Sequence, residues 1–135
     1  MTSKQGEGSI AALLPRGPGH RFLVYDDSCS GVPGGRHEAT FASVNWIARM
    51  LNPAPDFAAF LGDEVIGLTA DADALRAQWR HWLEVETAWL DRAVTRFFHT
   101  MSNHTTYDEM SEAVFTEMLP HLPRNGPPGQ EGLAY

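Results

Sequence analysis

Apolar residues along this chain follow two rhythms. Three short runs, Arg21–Tyr25 (RFLVY), Asp56–Leu61 (DFAAFL) and Arg96–His99 (RFFH), are continuous, rich in aromatic or β-branched residues, and bounded by turn residues. That is the pattern of short buried strands. Between and after them the spacing lengthens to that of helices. Phe41, Val44, Ile47, Ala48 and Leu51 recur at helical intervals from Glu38 to Leu51, where Asn52-Pro53 and Pro55 stop the pattern. A longer helix is predicted from an N-cap at Asp71 to about Arg92, with Leu75, Trp79, Trp82 and Trp89 along one stripe. A last helix is predicted from near Thr106, where Thr106-Tyr107-Asp108-Glu109 has capping-box spacing, to about Leu119.

The order is therefore β-α-β-α-β-α, which predicts an α/β fold of three parallel strands flanked by helices and joined by right-handed crossovers. Residues 1–20, rich in Gly, Ser and Pro, read as a loose lead-in, and residues 21–135 as one domain. Its last stretch, PHLPRNGPPGQEGLAY, is a Pro/Gly-rich loop with a faint strand start at GLAY. In parallel sheets, ligands gather beyond the carboxyl ends of the strands. Here the first strand ends in Asp26-Asp27-Ser28-Cys29, the second in Gly62-Asp63-Glu64, and the third runs into Ser102-Asn103-His104. If the strands are parallel neighbours, these polar groups share one edge. Each piece alone reads as ordinary turn chemistry. Their recurrence at three strand ends is the informative feature.

Composition narrows the function classes. With 135 residues, 43% of them hydrophobic, the chain can bury about two-thirds of its unfolded surface around one core. Net charge is −7 and no lysine follows Lys4, which speaks against a phosphate-neutralising nucleic-acid patch. A small phosphorylated substrate remains compatible when metal ions supply the positive charge locally. The single cysteine cannot form an internal disulfide. No stretch is long and apolar enough for a signal peptide or a membrane span, so a cytoplasmic location is expected, and the glycosylation pattern Asn103-His104-Thr105 is read as accidental.

Carboxylates combined with an amide and an imidazole suit a cation such as Mn, Fe, Zn or Mg. A carboxylate can bridge two such cations about 3.5–4 Å apart, which together activate a water and neutralise phosphate oxygens. Over residues 21–120 the chain resembles the calcineurin-like metallophosphoesterases, whose signature is Asp-x-His after one strand, Gly-Asp after the next and Gly-Asn-His-Asp/Glu after a third. The matching stretches are Asp27-Ser28-Cys29, Gly62-Asp63 and Ser102-Asn103-His104-Thr105. The resemblance implies half of that family's αββα sandwich and a dinuclear centre of Mn, Fe or Zn. It makes Asp27 a ligand of the first metal, Asp63 the bridge and Asn103 a ligand of the second. His104 would contact the phosphate or protonate the leaving group. The implied reaction is attack of metal-bound hydroxide on a phosphomonoester or phosphodiester.

This sequence departs from that pattern at three places. Cys29 stands where the family has a histidine, and a thiolate there shifts preference toward zinc or iron. Ser102 and Thr105 replace a glycine and an acid. The family's later histidines have no counterpart before Tyr135, so the chain reads as an amino-terminal half, completed by a missing carboxy-terminal half or by self-association. Two alternatives follow. One is a non-catalytic α/β domain that binds a partner through its unfinished sheet. The other is a cysteine-dependent phosphatase using Cys29 and Arg36, although six residues rather than five separate them and Pro33 donates no amide hydrogen. Glu64 reads as a support for Asp63 or a solvated loop carboxylate, and His37, His81, His99 and His121 as surface or packing residues, with His37 placed to replace a missing ligand.

Overall fold

A computed structural model describes residues 19–124 and 126–129. The elements are β1 (Phe22–Tyr25), α1 (Arg36–Ala48), β2 (Phe57–Phe60), α2 (Ala72–His81) continued by a π-turn (Trp82–Glu86), β3 (Arg96–His99) and α3 (Glu109–Met118). The three strands form one parallel sheet in the order β1-β2-β3, the predicted α/β architecture. The pairing aligns Tyr25, Phe60 and His99 in one row and Val24, Ala59 and Phe98 in the row before it.

Two right-handed crossovers that step the same way across a sheet deliver their helices to the same face. Burial follows that rule. Tyr25, Ala58, Phe60, Phe97 and His99 point to the helical side and are buried. Trp82 meets Phe60 edge-on at 4.8 Å between ring centres, Phe41 of α1 lies against Tyr25 and Trp82, and Trp79 meets Phe115 of α3. Each of these rings, removed from water, contributes about 2–3 kcal/mol. Among the described residues, no helix covers the opposite face. Phe22, Val24 and Phe98 are 56%, 55% and 50% exposed, and Phe57 stacks on Phe22 while meeting Phe98 edge-on.

Local chemistry accounts for where the elements depart from expectation. On α1 the buried positions are Phe41, Asn45 and Ala48, whereas Val44 and Ile47 are about half exposed. Asn45 displaces them because its amide nitrogen donates to the Glu86 carbonyl at 3.1 Å. Asp71 caps α2 as expected, accepting from the amides of Asp73 and Ala74. The helix does not reach Arg92. It widens into the π-turn and ends at Thr87, whose amide and hydroxyl both donate to the Trp82 carbonyl, at 3.0 and 2.9 Å. α3 is capped by Asp108, not Thr106: Asp108 Oδ1 accepts from the Ser111 amide and Ser111 Oγ accepts from the Asp108 amide. Most of the expected lead-in and the GLAY segment lie outside the described residues.

Candidate metal centre

The parallel pairing continues past the ends of β1 and β2. The Cys29 amide donates to the Asp63 carbonyl (2.7 Å), the Ser30 amide to the Glu64 carbonyl (2.9 Å) and the Ile66 amide to the Ser30 carbonyl (3.0 Å), with an isolated bridge between Ser30 and Val65. Ser28 Oγ adds a bond to the Glu64 carbonyl. The third loop is fastened to the second by Ser102, whose Oγ accepts from the Asp63 amide (2.9 Å), and by the His104 amide, which donates to Asp63 Oδ1 (3.1 Å). Ser102, where the resembled signature has a glycine, thus holds the turn bearing His104 against Asp63.

These fastenings require unusual backbone. Asp27, Cys29 and Asp63 all have positive φ (54°, 38° and 52°). Aspartate tolerates that region through its short side chain, but for cysteine it is uncommon, and each such residue stores roughly 1–3 kcal/mol. Two glycines make room. Gly62 has φ +113°, and a Cβ there would fall 2.6 Å from that of Ser102. Gly67 has φ +59°, and a Cβ there would run into the His104 carbonyl oxygen.

The result is a three-donor group. Ligand atoms of Cys29, Asp63 and His104 lie within 4.8 Å of one another. His104 Nδ1 is 2.8 Å from the Ile66 carbonyl oxygen, which can only accept, so Nδ1 carries the proton and Nε2 the lone pair. Nδ1 also lies 4.0 Å from Cys29 Sγ, so a cation held there through Nδ1 would displace its proton and its bond to Ile66. Thiolate, carboxylate and imidazole together match a borderline cation such as zinc or iron, with a coordination position left for water or substrate. The donor set fits a metal ion.

Asp27 stands beside this group: its Oδ1 lies 3.8 Å from Cys29 Sγ and accepts the thiol hydrogen. It also lines a cleft of about 560 Å³ with Ser28, Arg36, His37 and Thr40. Asn103 precedes His104 in the turn, is exposed, and makes no hydrogen bond to Asp27, Cys29 or Asp63. Among the described residues the strand ends thus supply one three-donor group, with Asp27 adjacent and Asn103 apart from it.

Glu64 is no solvated loop carboxylate. It is 1% exposed, and its Oε1 lies 2.9 Å from Nδ1 of the buried His99. Glu64 Oε2 and His99 Nε2 have no hydrogen-bond partner. Glu64 follows Asp63 in the chain, and nothing in the periodicity of FLGDEV distinguishes a buried glutamate from an exposed one. Burial first, then the charges of Asp27 and Asp63, push the Cys29 thiol up to about 11. Without a cation it is a protonated thiol at neutral pH. Four amides of loop 30–35 are also engaged, Ser30 with the Glu64 carbonyl, Gly31 with the Glu86 carboxylate, Gly34 with Glu38 and Gly35 with the Val32 carbonyl.

No family model, curated protein or solved structure matches this chain. The likeness to metallophosphoesterases therefore rests on the residues quoted above alone. No helix among the described residues is long and apolar enough to cross a membrane.

Proposed function

We propose that this protein is a metal-dependent phosphoester hydrolase of the cytoplasm, whose cation is held by Cys29, Asp63 and His104. The observation that carries the reading is the convergence of these three donors, from three separate strand ends, within 4.8 Å. A cation bound there would polarise a phosphoryl oxygen and lower the pKa of a water. The protein's own groups supply the rest. Asp63 uses Oδ1 to hold the His104 amide, so its other oxygen is free to bind. The Ile66 carbonyl holds the ring of His104 in place through Nδ1, and Asp27 accepts the thiol hydrogen of Cys29. The closeness of His104 to the other two donors favours a ligand's role over the leaving-group acid that the resemblance implies. Arg36 and His37, in the cleft beside Asp27, suit an anionic substrate group. In the same reading, Asp63 and Asn103 would hold a second cation.

The test is hydrolysis of p-nitrophenyl phosphate and bis-p-nitrophenyl phosphate with manganese, zinc or iron, against a chelated control. Metal-stimulated turnover that disappears in Asp63→Ala is expected. Absence of turnover with every metal, or turnover unchanged by that substitution, would contradict it. The cysteine-phosphatase alternative is disfavoured by the protonated thiol and by a loop whose amides already serve two carboxylates and two carbonyls.

The open sheet face favours a second reading, a non-catalytic domain that associates through Phe22, Val24, Phe57 and Phe98. Its mass in solution, measured for the parent and for Phe98→Thr, separates the two. An inactive dimer that dissociates in Phe98→Thr supports association, and an active monomer removes it.

A further inference from the structure

A second group of potential ligands lies away from the strand ends. Glu38 in the first turn of α1, His81 at the end of α2 and Glu86 at the end of the π-turn bring ligand atoms within 4.8 Å of one another. The π-turn creates this arrangement. Its i→i+5 hydrogen bond brings residues five apart toward one face, whereas five residues of α-helix make roughly 1.4 turns and point them apart. His81 Nε2 accordingly lies 3.7 Å from Glu86 Oε1 and 2.6 Å from Glu38 Oε1. Glu86 is anchored from behind by Ser30 Oγ (2.6 Å) and the Gly31 amide, and Glu38 by the Gly34 amide (2.6 Å).

Those bonds could describe a self-contained tie between helix and loop, but Asn45 adds a separate observation. Its side chain is buried (4% exposed), its nitrogen donates to the Glu86 carbonyl, and its Oδ1 has no hydrogen-bond partner. Asn45 lines, with Glu38 and Glu86, a cleft of about 400 Å³. A buried amide oxygen without a donor calls for a ligand, and a cation suits the amide oxygen and two carboxylates of this cleft, with the imidazole of His81 beside those carboxylates but outside the cleft lining.

We infer that Glu38, His81 and Glu86 form a second divalent-cation site, of the manganese–iron–zinc class, independent of the strand-end centre. The cation takes the place of the proton on His81 Nε2, which is released on binding. The site joins α1 to the end of α2 and, through Glu86 and its bonds to Ser30 and Gly31, to the loop that follows Cys29. Its role is to hold that loop, and it stabilises the folded chain by mass action.

The experiment is a cobalt(II) titration of the full chain, followed by calorimetry and absorption, with thermal melting in manganese. The parent is expected to bind two equivalents, only one giving a thiolate-to-cobalt charge-transfer band. Cys29→Ser combined with Asp63→Asn is expected to keep one equivalent without that band and to keep its manganese-dependent rise in melting temperature. Adding Glu38→Gln and His81→Gln removes both. Glu38→Gln, at the more exposed end of the group, carries the test alone if His81→Gln fails to fold, with an expected affinity loss of at least about 10-fold. The inference is overturned if the Cys29→Ser, Asp63→Asn chain folds but binds no cobalt, or if its remaining equivalent survives folded Glu38→Gln unchanged. Because the Cys29 and Asp63 centre is already silenced, neither result depends on the hydrolase reading.

Discussion

The two donor groups are built in opposite ways. Cys29, Asp63 and His104 come from three loops on strained backbone, two of them at positive φ, and their alignment depends on glycines that let the loops touch. Glu38, His81 and Glu86 come from regular helix and one π-turn, and they satisfy one another with hydrogen bonds. The first includes a thiol held in its protonated form by burial and neighbouring carboxylates. The second is an imidazole between two carboxylates. Strain is retained at a site when the geometry serves chemistry, whereas a self-satisfied group on helices serves cohesion. The contrast teaches that the strand-end group is the reactive candidate and the helix group the structural one.

The comparison can be broken most severely through Glu64. Removing its carboxylate leaves the buried His99 without its partner, and Glu64→Ala is expected to cost about 3–5 kcal/mol. Chemical denaturation measures the loss. A cost below about 1 kcal/mol would show that the pair does not support the strand-end group. Next is Gly67→Ala, whose Cβ would collide with the His104 carbonyl at a positive φ. It is expected to cost about 2 kcal/mol and to weaken cation binding at the strand ends while leaving the helix group intact. Equal weakening at both groups would dissolve their independence.

A finer probe is the thiol itself. With its pKa raised to about 11, metal-free Cys29 is expected to react with iodoacetamide at neutral pH about 10-fold more slowly than an ordinary cysteine, the lower thiolate fraction outweighing its greater nucleophilicity. Reaction at the ordinary rate would return the cysteine-nucleophile reading to favour.

The smallest effect concerns acid. Partial burial, then the charges of His99 and Arg92, hold His121 below its usual range. A base with a depressed folded pKa takes up its proton more readily when unfolded. Stability is therefore full above about pH 6.5 and falls as pH drops toward the folded value. His121→Asn is expected to flatten that part of the melting-temperature profile. An unchanged slope would assign the acid sensitivity to other groups.

The strands were legible because RFLVY, FAAFL and RFFH are short apolar runs with sharp ends, and their order alone determines that polar residues following them share an edge. The cap at Asp71 was legible for the same local reason. The π-turn was not. It depends on Thr87 bonding back to Trp82 and on Glu86 meeting Ser30 and Gly31, residues about 55 positions away. The burial of Glu64 and Asn45 was not legible because polarity predicts exposure, and only tertiary contacts reveal that each has a buried polar counterpart. Asn103 matched a motif in sequence, yet its turn leaves it exposed beside His104, since the residue fastened to Asp63 is its neighbour.

The central claim, a cation bound by Cys29, Asp63 and His104, is tested most directly by cobalt(II) absorption of the parent chain and of Asp63→Asn. The parent should develop a thiolate-to-cobalt band at stoichiometric metal, and Asp63→Asn should need more than about 100-fold more cobalt to reach it. A parent chain that shows no such band at any cobalt concentration, or an Asp63→Asn chain that titrates identically, would contradict the claim.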